Sequence, residues 1–289
     1  MSADTSPDVP PTGRPRLDGR GSAVPELTVS GVSKTYRGRD RTRVRAVDDV
    51  SFTISPGAAV SLVGASGSGK STLARLITGS ERPTSGSITF GDLTVSRLRP
   101  GGQRTLHRQV QMVFQDPYSA LNPLHTVGYT VMRPAQNFLG LTAGQARDRV
   151  RDLLETVGLS PAAQFAAKLP HQLSGGQRQR VVIARALACD PGLVVADEPV
   201  SMLDVSLRAG VLSLLADLRR DRGLSLLYIT HDLLSARAIT DEVLVLHHGR
   251  VVERGETSQV LRHPRDQYTI RLLEAIPNPF GRPGNHVTR

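Results

Sequence analysis

Residues 64–72 read Gly64-Ala65-Ser66-Gly67-Ser68-Gly69-Lys70-Ser71-Thr72, and this run constrains the fold more than any other feature of the chain. It satisfies G-x-x-x-x-G-K-[ST], a loop whose backbone N–H groups cradle phosphate oxygens while the lysine reaches the terminal phosphates and the hydroxyl ligates magnesium. Such a loop requires a strand before it and a helix after it, because the helix N-terminus adds free N–H groups and a favourable dipole. The flanks supply both. Residues 58–63 form an apolar strand run behind the turn Pro56-Gly57, and residues 70–78 take helical spacing. The loop therefore predicts an α/β fold in which strands feed helices.

The rest of the pattern agrees. Alternating apolar runs at 27–29 and 47–54 make the early chain rich in strands, and a further strand pair is expected at 87–90 and 110–114, joined by a polar segment through 97–103. Residues 127–167 read as helices, with Val150, Leu153, Leu154 and Val157 on one stripe. A helical subdomain inserted into the sheet, over about 125–180, follows from that interruption. Helical spacing continues through Val181, Val182, Ala184, Ala186 and Leu187. Strands at 193–196 and 226–229 then bracket a helix at 205–220, the alternation of a parallel sheet. Strands at 243–246 and 250–253 flank His248-Gly249, and a helix is expected over 268–275. There is no internal repeat.

Two further runs carry chemistry. Leu193-Val194-Val195-Ala196-Asp197-Glu198 is an apolar strand ending in two carboxylates. The strand buries its body and exposes its end, so Asp197 is placed to hold magnesium and Glu198 to polarise an attacking water. Leu173-Ser174-Gly175-Gly176-Gln177 puts a hydroxyl and two glycines at the start of a helix, where free N–H groups attract anions. This is a second candidate phosphate site.

Composition excludes some roles. With 39% hydrophobic residues and no apolar run near the roughly 18 needed to span a bilayer, nothing in the sequence crosses a membrane, so a transport role needs other subunits. Residues 1–25 lack a signal-peptide core and read as a disordered cytoplasmic tail. Cys189 is the only cysteine, which excludes an internal disulfide and argues against a cysteine-built metal site; it reads as a small core residue. The net charge of +10 suits acidic partners without choosing among them. Arg37, Arg39, Arg41, Arg43 and Arg45 recur at period two and read as the solvated face of a hairpin.

The order of these runs identifies a family. Leu173 to Gln177 with Arg178-Gln179-Arg180, standing between the glycine loop and Asp197-Glu198, resembles the signature of ATP-binding-cassette proteins. That resemblance implies a P-loop NTPase cassette over 26–262, with a mainly parallel core sheet, an antiparallel β subdomain and the inserted helical subdomain, and a C-terminal extension and tail over 263–289. It implies ATP and Mg²⁺ as cofactors, with Ser71, Gln115 and Asp197 around the metal, and Glu198, His231 and Gln115 at the reacting end. Tyr36 matches the aromatic residue that stacks on adenine, and Asp204 the loop linking the two sites. Residues 173–177 then complete the phosphate loop of a second cassette, so that ATP is sandwiched between subunits.

Finer detail resembles the ATPases of oligopeptide, dipeptide and nickel importers: Phe114-Gln115-Asp116-Pro117-Tyr118-Ser119-Ala120-Leu121-Asn122-Pro123, and residues 197–206. The C-terminal His263-Pro264, Tyr268-Thr269, Leu272-Leu273 and Ile276-Pro277 match that group, although Arg265-Asp266-Gln267 interrupts the first element. The cysteine cluster of some relatives is absent from this extension, so no iron–sulfur centre is expected. The implied partners are a second ATPase subunit, identical or paralogous, two membrane-spanning permeases that dock on the helical region, and a separate solute-binding protein, at the cytoplasmic face of the membrane. A soluble accessory ATPase, as in carbon–phosphorus bond cleavage, is the alternative. Nucleic acid is not an expected partner: repair members insert long coiled coils, translation members carry two cassettes, and 4% aromatics leave little for base stacking.

Overall fold

The computed structural model describes residues 24–38, 42–98 and 100–275. Most of the expected N-terminal tail, Arg39, Arg41, the Ile276-Pro277 pair and the tail after it lie outside the described residues. Along the chain come β1 (Leu27–Arg37), β2 (Arg43–Ile54), β3 (Ala59–Val63), α1 (Lys70–Ile77), β4 (Ser85–Phe90), β5 (Leu93–Thr94), α2 (Pro100–Gln109) and β6 (Val110–Val113). The helical region follows as α3 (Pro117–Ala120), α4 (Val127–Leu139), α5 (Ala143–Thr156), α6 (Ala162–Ala167) and α7 (Gly175–Leu187). The chain then returns through β7 (Leu193–Asp197), α8 (Val205–Arg222), β8 (Ser225–Thr230), α9 (Leu233–Ile239), β9 (Glu242–His247), β10 (Arg250–Glu256), α10 (Thr257–Arg262) and α11 (Gln267–Glu274).

Two sheets result. The core sheet has the order β10-β9-β3-β8-β7-β6, parallel except for the edge strand β10. Every residue of β3, β7 and β8 is buried, as expected of parallel strands covered on both faces. The second sheet, β2-β1-β4-β5, is antiparallel. Leu73, Leu76 and Ile77 of α1 pack between the two sheets with Phe52, Ile88 and Phe90, while α7 and α8 join the opposite face to the helical region through Val181, Val182, Leu214 and Leu215.

Register decides where the chemistry lies. Val63 pairs with Thr230, Asp197 with Ile229, and Val113 with Ala196. The loops after β3, β6, β7 and β8 therefore leave the same edge of the sheet side by side, at the carboxyl ends where open α/β sheets hold ligands.

One expectation fails. Residues 87–90 and 110–114 do not pair: β4 joins β1 and β5 in the antiparallel sheet, whereas β6 joins β7 in the core sheet. The polar segment between them is largely helix α2. Its glycines and charges hid a helix anchored by Leu106, which is fully buried. Short helices α9 and α10 also escaped sequence reading. Arg37 pairs with Arg43 across the β1–β2 hairpin and both are exposed, as a solvated face requires.

Cys189 follows α7 and is fully buried. Burial pushes its thiol up to about 11, so the reactive thiolate is scarce at neutral pH. In the native chain Cys189 will resist Ellman's reagent at pH 8 and will react stoichiometrically once guanidinium unfolds it; rapid labelling of the native chain would contradict its packing.

Candidate active site

The glycine loop is shaped by what crowds it. A Cβ on Gly64 would lie 2.3 Å from the Leu246 carbonyl oxygen, and one on Gly69 would lie 2.2 Å from that of Ala46. Gly69 also has φ of 111°, which side chains disfavour. Only glycine fits where two backbones come this close. Lys70, 5% exposed, donates from Nζ to the carbonyl oxygens of Gly64 at 2.7 Å and Ala65 at 2.9 Å. Burial lowers its ammonium pKa, against the opposing charges of Glu198 and Asp197.

Asp197, at the end of β7, is 9% exposed. Burial raises its carboxyl pKa, a hydrogen bond with Ser71 lowers it, and the neighbouring Glu198 raises it again. A buried carboxylate against a hydroxyl and an ammonium is a donor set that fits a magnesium–phosphate pair. Ser68 Oγ supports the fit, since it is buried within the loop and without a hydrogen-bond partner.

Glu198 leaves the strand with φ of 46°, a left-handed backbone held by its N–H donating to the Ile229 carbonyl at 2.8 Å and by Ser201 Oγ donating to its own carbonyl at 3.0 Å. Such strain in a non-glycine residue persists only where the surroundings fix it, and it gathers at functional sites. The side chain, 17% exposed, accepts from Gln115 Nε2 at 3.1 Å and stands 3.2 Å from His231 Nδ1. Gln115 follows β6 and His231 follows β8. The structure thus brings Gln115 and His231, which the sequence places far apart, to the same carboxylate oxygen of Glu198.

Ser174 caps α7. Its Oγ accepts from the Gln177 N–H at 3.3 Å while Gln177 Oε1 accepts from the Ser174 N–H at 3.0 Å, a capping box that fixes the helix start. Leu173 is buried beneath it. Gly175 and Gly176 face Leu203, Leu207 and the Tyr118 hydroxyl, and the Tyr118 ring lies 4.0 Å from the guanidinium of Arg178. Among the described residues no hydrogen bond or ion pair ties 173–177 to the loop at 64–72. Asp204 begins α8, accepting from the N–H groups of Leu207 and Arg208 through its carbonyl while its exposed side chain makes no cap.

Tyr36 sits on β1 with its hydroxyl donating to Glu81 at 2.6 Å, and Lys34 Nζ lies 5.1 Å from the ring centre. Burial and the bond to Glu81 raise the phenol pKa, against a hydrogen bond with Thr72 at the end of the loop. The ring is therefore adjacent to the loop but outside the Glu198 cluster.

Sequence reading missed several supports. Thr230 Oγ1 accepts from the Asp232 N–H at 3.0 Å, fixing the turn that carries His231. The Tyr268 hydroxyl accepts from the Ala65 N–H at 2.8 Å, inside the phosphate loop. No spacing rule flags either residue.

Comparison with known proteins places the chain in a family. A family model described as "ABC transporter" matches residues 47–201. The chain is 46% identical to the probable peptide ABC transporter ATP-binding protein y4tS of Sinorhizobium fredii, over 82% of this chain and 66% of that protein. It is 44% identical to the oligopeptide transport ATP-binding protein OppF of Lactococcus lactis, over 81% of this chain and 73% of that one. The dipeptide transport ATP-binding protein DppF of Escherichia coli is likewise 44% identical, with coverage of 83% and 72%. Among solved structures, a dimeric ATP-binding cassette in a post-hydrolysis state with ADP and Pi superposes with a TM-score of 0.72 at 32% identity, covering 80% of this chain and 98% of that one. The glycine loop, the carboxylate strand end and the capped helix at 175–187 thus lie in or beside a family match that spans more than half of the chain, and the protein belongs to the ABC transporter family as one of its ATP-hydrolysing cassettes.

Proposed function

We propose that this chain energises import of oligopeptides or dipeptides through separate membrane permeases, with two cassettes closing around ATP. The observation that carries the permease reading is an apolar group around the Gln115 loop: Phe114, Tyr118, Leu124 and Tyr129 are 46%, 59%, 84% and 40% exposed. Large apolar side chains left exposed along one loop and the helix after it offer a partner protein apolar surface to cover. A permease helix seated there would touch the residue next to Gln115 and so report its presence to Glu198. The identity of the solute follows the peptide-transport relatives. No helix of the described residues is long and apolar enough to cross a membrane, consistent with a peripheral subunit on the cytoplasmic face.

In the mechanism, the loop N–H groups and Lys70 bind the β- and γ-phosphates, and Tyr36 packs on the adenine. Magnesium, held by Ser71, Asp197 and Gln115, supplies neutralisation of the phosphate charge when bound. No cluster of three or more His, Cys, Asp or Glu side chains is placed to hold a metal among the described residues. Glu198 orients the attacking water and accepts its proton, while Gln115 and His231 hold the carboxylate in line. Ser174 and Gly176 serve the opposite subunit, and Asp204 links the two sites. Loss of the γ-phosphate removes the contacts that hold the sandwich closed, and the cassettes part.

A tagged Glu198→Gln chain, which retains ATP, tests the partners when drawn from native membranes. Multi-span permease proteins should accompany it. Soluble proteins alone, with an empty membrane fraction, would overturn the import reading in favour of a soluble accessory ATPase.

A further inference from the structure

We infer that Tyr268, on the C-terminal helix, is a positioning residue for Lys70 and acts through a single peptide group. The Gly64–Ala65 peptide carries both contacts. Its N–H donates to the Tyr268 hydroxyl at 2.8 Å, and its carbonyl accepts from Lys70 Nζ at 2.7 Å. Because a peptide is planar, fixing the direction of the N–H fixes the direction of the carbonyl on the opposite edge. Each hydrogen bond also polarises the next along such a chain. The phenol therefore sets where the ammonium rests.

The ring and the helix that carry the hydroxyl are themselves held in place. Its ring stacks on His247, with centres 3.8 Å apart and planes 15° apart. Helix α11 is capped by Asp266, which accepts from the Tyr268 N–H at 2.8 Å, and the Glu253 carboxylate accepts from the N–H groups of Arg265 at 2.8 Å and Asp266 at 3.2 Å. Thr269 is fully buried behind it. The β9–β10 turn, which follows His247, holds the far side of the loop, where the Gly249 N–H donates to the Ser68 carbonyl at 2.9 Å. Without the phenol, the peptide after Gly64 keeps only the ammonium as partner, and glycine offers little resistance to its rotation.

The C-terminal extension is thereby part of the nucleotide site. This inference rests on Lys70 reaching the phosphates, and Lys70→Ala examines that premise separately. Tyr268→Phe keeps the stacked ring and deletes the hydroxyl alone. In the full chain, folded by circular dichroism, it should weaken binding of a fluorescent ATP analogue about two- to tenfold, the range for one hydrogen bond. KM for ATP should rise by the same factor with kcat within about twofold, the pattern of lost ground-state binding. If Lys70→Ala loses affinity while Tyr268→Phe binds and turns over ATP like the parent, the positioning role is overturned. If Lys70→Ala itself binds ATP like the parent, the premise falls instead.

Discussion

Glu198→Gln will bind ATP as tightly as the parent and hydrolyse it about 10²–10⁴-fold more slowly, the loss expected when a general base is removed. The substitution isolates the proton-accepting role because it preserves nearly everything else. The amide has the shape of the carboxylate, so the backbone at φ of 46° and its bonds to Ile229 and Ser201 need not change. An amide oxygen can still accept from Gln115 Nε2, now 3.1 Å away. What it cannot do is take a proton from water at neutral pH. Equilibrium binding together with single-turnover hydrolysis separates the two properties. A rate within about fivefold of the parent would assign the base to another residue, with His231 the next candidate 3.2 Å away.

Lys70→Ala and Ser174→Arg should fail in opposite ways. Lys70 is nearly buried, at 5% exposure, within its own loop. Removing its ammonium deletes charge-assisted bonds worth about 1.5–3 kcal/mol, or roughly ten- to 150-fold in ATP affinity. Ser174 makes no bond to that loop among the described residues; its hydroxyl caps α7 instead. Losing the cap costs about 1 kcal/mol of helix stability, which leaves the loop's own affinity for ATP intact. Under the proposed sharing of sites between subunits, turnover in Ser174→Arg should nonetheless vanish, because a long cation then blocks the helix start offered to the second subunit. Binding measured by a fluorescent ATP analogue and turnover by phosphate release distinguish the two defects. Loss of ATP binding by isolated Ser174→Arg chains would place the signature in the same site as its own loop.

Much of this was legible in sequence because covalent order and register work together. Apolar runs ending at Val63, Ala196 and Ile229 could be recognised as parallel strands, and parallel pairing of their ends forces their following residues to one edge. Hence Lys70, Glu198, Gln115 and His231 emerged from motif and family pattern, and the structure draws the last two onto one oxygen of Glu198. Tyr36 and Asp204 gained only neighbourhood: one beside Thr72, the other at the start of α8.

The misreadings have physical causes. Strand β4 was assigned the wrong partner because periodicity reports that a residue faces a core, not which of two sheets it joins. Helix α2 was hidden because Gly101 and Gly102 weaken helix propensity, and the burial of Leu106 that anchors it is a tertiary contact. Tyr268 escaped because its function rests on one hydroxyl reaching a loop some 200 residues earlier, and no local pattern encodes that approach. Family resemblance marked the residue without saying what it touches.

The most direct measurement mixes equal amounts of Lys70→Ala and Ser174→Arg chains and follows phosphate release under conditions where the parent hydrolyses ATP. Each variant alone should be inactive. In a mixed dimer one composite site combines an intact Lys70 with an intact Ser174 from the other chain, so activity should return in the mixture. No recovery, with mixed dimers demonstrated by cross-linking, would contradict a site divided between two subunits.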